Sequence, residues 1–294
     1  MRSILVVALM LGISGMHPDS SSLASVQAQT NQQPLTRVYR EVDGRSLNVY
    51  VFRPAGQQAG KQSSAILLFH GGGWNVGSAE WTFDAARRFA ALGIVAISVE
   101  YRLSEGKITP IEALDDTCTA FRWARKHAAD LSIDPNRVAG YGVSAGGQLV
   151  AAAATIGCSS NGDVQFSSRP DALLLWSPAL DVTADAHFGR LLQGRASAKD
   201  YSPVEHVGRS TPPTSIVHGA KDTLTPLPGV KRFCDQMIQA TSACELNVYE
   251  GVGHLLTRNL ANQESDFDVD PKARIDGMAR HQRFLREKGF IPVR

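Results

Sequence analysis

The stretch "VAGYGVSAGGQLVAAAATIG", Val138 to Gly157, decides the fold. Its first part, "VAGYGVS", is a short apolar run punctuated by glycine and reads as a strand. Its second part, "AGGQLVAAAATIG", is rich in alanine and nearly all apolar, so it reads as a helix buried on several sides. Only a sharp turn fits between them, at Gly142-Val143-Ser144-Ala145-Gly146. A strand that turns at once into a helix strains the central serine so that its oxygen projects, and it needs glycines where strand and helix approach. The Gly-x-Ser-x-Gly spacing alone is weak in a chain with 26 glycines. The bland alternative is a serine that merely caps a buried helix.

The flanking sequence continues the alternation. Upstream, "RVYRE" (37–41) and "LNVYVFRP" (47–54) are period-2 and β-rich, and "SSAILLFH" (63–70) is a buried strand stopped by glycine. "AEWTFDAARRFAALG" (79–93) has helical spacing, "IVAISVEYRL" (94–103) is a strand, and "ALDDTCTAFRWARKHAADL" (113–131) is a helix followed by a turn, "IDPNRV" (133–138). Downstream, "DALLLWSPALD" (171–181), "TSIVHGA" (214–220) and "CELNVYE" (244–250) read as strands. "VKRFCDQMIQA" (230–240) and "PKARIDGMARHQRFLREKG" (271–289) read as helices. Residues 182–212 break the rhythm, being polar, weakly helical and closed by "TPP", and read as a short insertion over the sheet. Such alternation predicts an α/β fold: a mostly parallel central sheet with helices on both faces. It is expected to occupy residues 36–294 as one domain.

In sheets of this kind the site lies at the carboxyl ends of the strands. One strand ends in "HGGGW", His70 to Trp74, and another in Ser144. "TSIVHGA" runs into Lys221-Asp222, and "CELNVYE" into Gly253-His254. A serine needs a base within hydrogen-bond reach, and the base needs an orienting carboxylate. In this architecture the chain order is serine, acid, histidine. His254 and His281 follow every plausible acid; His254, on a glycine-flanked loop, is the expected base, and His281 lies in a helix. Asp222 is the expected acid, with Asp181 as its rival one strand earlier. Trp74 and Trp81 are candidates for a substrate pocket, the alternative being core.

Composition narrows the class. The chain has 294 residues, 20% charged, with a net charge of +2, too small to suggest nucleic acid or an anionic membrane as partner. Arg2 and the apolar run from Ile4 to Met16 look like an export leader, 1–28, cut after Ala28 or Ala24, with 29–35 a polar lead-in. The run is shorter than the roughly 20 residues a membrane span needs, and an uncleaved N-terminal anchor is the alternative. Export permits disulfides. Cys234 and Cys244, on a helix and the strand it leads into, are the expected pair, and Cys118 and Cys158 are expected as buried free thiols. None of the cysteine spacings looks like a zinc site. Nothing in the chain fixes an oligomeric state.

Taken together, "HGGGW", "EYRL", "GVSAGG", "SPALD", "HGAKDTLTP" and "YEGVGH" resemble the α/β-hydrolase serine esterases over roughly residues 36–290. The branch is the hormone-sensitive-lipase-like and acetyl esterase one, which includes feruloyl and acetylxylan esterases. The resemblance implies cofactor-free hydrolysis of carboxylic esters, with small-molecule or polysaccharide esters as substrates and Ser144, Asp222 and His254 as the triad. It also implies that Gly72, Gly73 and Ala145 supply oxyanion-hole amides. The chain departs from the pattern at Leu255-Leu256-Thr257, where many relatives carry Gly-Phe, and at Glu100, where Asp is common. Amidases and peptidases share the fold. A non-catalytic module on it would be expected to lack the serine or the histidine, which this chain keeps.

Overall fold

A computed structural model describes residues 33–57, 60–158 and 165–291, and the expected leader lies outside the described residues. Eight strands form one sheet: β1 (Leu35–Val42), β2 (Arg45–Phe52), β3 (Ser63–Phe69), β4 (Val95–Val99), β5 (Ile133–Val143), β6 (Leu173–Trp176), β7 (Thr214–Gly219) and β8 (Cys244–Tyr249). Their order across the sheet is β1-β2-β4-β3-β5-β6-β7-β8. β1 and β2 form an antiparallel hairpin that joins β4 antiparallel, and every pair from β4 to β8 is parallel. The helices are α1 (Phe83–Ala91), α2 (Pro110–Lys126), α3 (Ala128–Leu131), α4 (Ala145–Thr155), α5 (Ala186–Leu191), α6 (Leu227–Gln239) and α7 (Pro271–Glu287).

The strand interiors read as continuous apolar runs because both sheet faces are covered. Side chains alternate between the faces. Leu67, Phe69 and Ile97 meet Phe121 of α2, Leu149 of α4 and Phe233 of α6 on one face. Ile66, Leu68 and Ala96 meet Phe89 of α1 and Phe284 of α7 on the other. In α6 the buried positions Val230, Phe233, Cys234 and Met237 recur at three- and four-residue spacing, one stripe of a helix. α4 is buried along its whole length from Ala145 to Ala154.

Three local expectations are corrected. The helix expected over 113–131 begins earlier, at Pro110, and breaks after Lys126. Thr109 and Glu112 cap its start: Thr109 Oγ1 accepts from Ile111 N at 3.2 Å, and Glu112 Oε2 accepts from Thr109 N at 2.8 Å. The turn expected at 133–138 is taken into β5, where Ile133 pairs with Ser63 and the register skips before Val138 resumes opposite Ala65. Cys118 and Cys158 are not free thiols: they are joined, with Cα atoms 6.3 Å apart. Gly157, at φ +77°, turns the chain back at the end of α4, which brings Cys158 over α2. Cys234 and Cys244 are also joined, Cα to Cα 5.4 Å, tying α6 to β8 across a short loop worth about 2–3 kcal/mol.

The insertion at 182–212 carries α5 and two 3₁₀ turns, Ala198–Tyr201 and Pro203–His206. It is tied to the framework. Gln148 of α4 donates to the Tyr201 carbonyl at 2.8 Å, Gln193 donates to the Gly106 carbonyl at 2.8 Å, and Arg195 pairs with Glu112 at 2.7 Å.

Candidate active site

Ser144 sits where β5 turns into α4, at φ +53° and ψ −116°, a conformation costly for any residue with a side chain. The surroundings enforce it. Ser144 N donates to the Trp176 carbonyl of β6 at 2.9 Å, and its own carbonyl accepts from Gln148 N and Ala179 N. A Cβ at Gly146 would run into the carbonyls of Phe69 and His70, and one at Gly142 into the Gly146 carbonyl. The two glycines therefore let strand and helix close around a half-buried serine.

His254 reaches this serine from the loop after β8. Its Nε2 lies 3.0 Å from Ser144 Oγ, and its Nδ1 lies 2.9 Å from Asp222 Oδ2. An ionised carboxylate only accepts, so Nδ1 carries the proton and Nε2 offers its lone pair to the serine hydroxyl. Asp222 is buried and fully engaged. Its Oδ1 accepts from Leu224 N and Thr225 N, and its Oδ2 from Thr225 Oγ1, at 2.9–3.0 Å. Burial alone would push this carboxyl up, but the hydrogen bond and charge of His254, with His218 and the Thr225 amide, outweigh it and hold Asp222 below the usual carboxylate range.

Asp181 does not meet His254: its carboxylate accepts from Thr183 and pairs with Arg232 at 3.1 Å. His281 packs edge-on against Trp176 and Tyr141 in the core, where burial pushes it down to about 3.

The glycine loop lies beside the serine. A Cβ at Gly71 would come within 3.2 Å of Ser144 Cβ. Gly72 (φ +108°), Gly73 (φ +56°) and Trp74 (φ +65°) are all left-handed. A Cβ at Gly72 would collide with the Val76 carbonyl. The loop is oriented from behind. The Gly71 carbonyl faces His70 Nδ1, and the Gly72 carbonyl accepts from Asn75 N at 3.2 Å and Val76 N at 3.0 Å. In a trans peptide the N–H points opposite to the carbonyl. These bonds therefore aim the amides of Gly72 and Gly73 the other way. Among the described residues neither amide donates to a protein acceptor, nor does that of Ala145 at the first turn of α4. His70 is buried, which lowers it to about 4, so it is neutral at pH 7. It stacks on Tyr101, whose hydroxyl donates to the His70 carbonyl at 2.9 Å, a framework role.

Trp74 is corrected as a pocket wall. It is 3% exposed, packs edge-on against Phe188 and donates from Nε1 to Gln148 Oε1 at 2.9 Å, so it belongs to the core. Trp81 is 62% exposed and stands against the edge of the His70 ring.

Gln263 carries no sequence signal, yet it binds together the loops that carry Asp222 and His254. Its Oε1 accepts from His254 N at 2.8 Å and Thr223 N at 3.2 Å, and its Nε2 donates to the Lys221 carbonyl at 3.0 Å. Ser177 adds a second link, its Oγ accepting from Leu255 N at 3.1 Å. Among the described residues no three His, Cys, Asp or Glu side chains converge as metal ligands.

Comparison with known proteins places this arrangement. The esterase LipC of Mycobacterium tuberculosis is 27% identical over 223 residues, which cover 66% of this chain and 53% of that protein. An arylesterase of Saccharolobus solfataricus is 44% identical over 89 residues, 30% of this chain and 28% of the other. The chain thus spans about half or less of the curated relatives it matches. Esterase 2 of Thermogutta terrifontis, in its apo form, superposes with a TM-score of 0.79 at 30% identity, covering 89% of this chain and 97% of that one. A family model described as alpha/beta hydrolase fold matches residues 66–258, more than half of the chain. As the motifs implied, the chain belongs to the α/β-hydrolase fold family.

Proposed function

We propose that this protein is a serine carboxylesterase acting on short-acyl esters, acetyl or aryl esters among them, with acetylated or feruloylated polysaccharide as a further candidate substrate. The observation that carries the reading is the chain of contacts from Asp222 through His254 to Ser144, at 2.9 and 3.0 Å, beside three amides that have no protein acceptor among the described residues. Named esterases among the relatives support it. So does the Thermogutta esterase 2, which has been solved with propionate and with butyrate bound.

In the proposed reaction Ser144 Oγ attacks the ester carbonyl carbon while His254 Nε2 takes the hydroxyl proton. The carbonyl π pair becomes an oxyanion facing the amides of Gly72, Gly73 and Ala145. The oxyanion collapses, the bond to the leaving oxygen breaks, and His254 returns the proton to that oxygen, freeing the alcohol. Water then attacks the acyl-enzyme by the same route in reverse, releasing the acid. Asp222 holds His254 in the required tautomer and stabilises the imidazolium. The α4 N-terminus adds dipole stabilisation at Ala145.

The pairing of all four cysteines and the apolar leader-like run support an exported protein. The test is Ser144→Ala. Turnover of p-nitrophenyl acetate is expected to fall by about 10⁴–10⁶. Paraoxon is expected to label wild type once per chain at Ser144, as it phosphorylates the Thermogutta neighbour, and to leave the variant unlabelled. Retention of more than a few per cent of activity would remove Ser144 from the role.

A further inference from the structure

The insertion reaches the glycine loop through one side chain. His187, on the short helix α5, places Nε2 3.1 Å from the Gly73 carbonyl. A carbonyl only accepts, so Nε2 carries the proton and donates. The ring sits directly over Gly73: a Cβ there would stand 3.3 Å from Nε2. Its position is itself fixed. Asp185 caps α5 by accepting from His187 N at 2.9 Å and Phe188 N at 3.0 Å, and the Phe188 ring is pressed edge-on to Trp74 at 4.8 Å. His187 and Phe188 therefore grip the two consecutive residues Gly73 and Trp74 from the same helix.

We infer that His187 is a positioning residue for the oxyanion hole, contributed by the insertion. The inference rests on the oxyanion role proposed above for Gly73. Gly73 is a glycine at φ +56° between two peptide planes. The plane before it is held by the loop itself, through Asn75 N and Val76 N on the Gly72 carbonyl. The plane after it is held by His187, with help from the Asn75 side chain, whose Nδ2 donates to the Gly73 carbonyl at 3.2 Å. Releasing the second plane frees rotation about a residue with no Cβ to resist it, lets the segment from Trp74 to Val76 shift, and so loosens the Asn75 and Val76 N–H bonds to the Gly72 carbonyl that aim the Gly73 N–H. The effect is smaller than loss of a donor, because the amide remains and Asn75 still holds part of the turn.

The experiment compares His187→Ala, His187→Phe and His187→Gln with wild type in full-length protein. Phenylalanine keeps the ring without the donor, and glutamine places an N–H near the position of Nε2. The Ala and Phe variants are expected to lower kcat for p-nitrophenyl acetate about tenfold, against about 10²–10³ for an oxyanion donor removed outright, with KM within about threefold of wild type. Amide exchange of the segment 71–76 is expected to quicken in both, and the Gln variant to keep most of the wild-type kcat and protection. A rise in KM at unchanged kcat would make His187 a substrate contact and overturn the inference. So would unchanged exchange in 71–76, or a Gln variant no better than Phe. Should wild type hydrolyse no ester, the proposed function falls, while the exchange comparison still decides whether His187 holds the loop.

Discussion

Around Asp222 every oxygen has a named donor, and His254 is held at its ring by the carboxylate and at its backbone by Gln263. Across the site, what Gly71 to Trp74 present is main chain: left-handed torsions from Gly72 to Trp74, carbonyls tied from behind by backbone amides and by His70 and His187, and glycines where a Cβ would collide. One side is built from side chains whose chemistry is specific and whose loss removes a function outright. The other is built from backbone, whose donors no substitution short of proline can delete but a Cβ can misplace. The difference teaches where the two sides should fail: the first by exchange of one atom, the second by addition of one.

Asp222→Asn tests the first side. Its amide nitrogen would face His254 Nδ1 or Thr225, favouring the wrong imidazole tautomer while leaving volume unchanged. The expected loss in kcat is about 10⁴, read with p-nitrophenyl acetate, with the thermal midpoint nearly retained. A loss under about tenfold would mean that Asp222 does not orient the base.

Gly72→Ala tests the second. The new methyl meets the Val76 carbonyl at a torsion that L residues avoid. We expect kcat to fall by about 10²–10³ together with a lower melting temperature, a coupling of activity and stability that Asp222→Asn lacks. Equal kcat in a folded Gly72→Ala would separate the loop from the chemistry.

The smallest effect concerns the anchor of the insertion. Glu112 is pushed up by partial burial but held down, to about 2, by the Arg195 hydrogen bond and the Thr109 donors. A carboxylate depressed in the folded state contributes stability above its unfolded value near 4.5 and loses it as pH falls toward 2. Arg195→Ala is therefore expected to destabilise the protein at pH 7, modestly because solvent screens the exposed guanidinium, and by progressively less below about pH 4. Denaturant melts at pH 7 and pH 3 read both values; a penalty that grows on acidification would overturn the assignment.

Much of the fold, and the meeting of Ser144, His254 and Asp222, is legible in the order of residues alone. Buried parallel strands are apolar without interruption, so "SSAILLFH" and "DALLLWSPALD" announce themselves, and the residues at their ends follow from topology. Glycine runs are legible because only a backbone requirement explains them. Gln263 is not legible: a glutamine in a polar loop has no periodicity, and its role exists only once two distant strand exits lie side by side. His187 is hidden for the same reason, since a helix of six residues in an insertion gives no pattern to read. The Cys118–Cys158 link depends on a chain reversal at Gly157 that spacing does not encode. Thr109-Pro110-Ile111-Glu112 is different: its capping spacing is present in the sequence, but the apolar pattern of the helix begins later and draws the expected boundary inward.

Helix α4 has a consequence for how such a protein can change over generations. Every position from Ala145 to Ala154 is buried, so the helix has no solvent face on which neutral substitutions can accumulate. Its run of four alanines sets the spacing to its neighbours, and each added methylene there costs about 1–3 kcal/mol of overpacking. The floor under Ser144 is therefore closed to variation. New specificities must be written in the insertion and the strand-exit loops, where exposed residues such as Trp81 and Arg190 can be exchanged without disturbing the sheet.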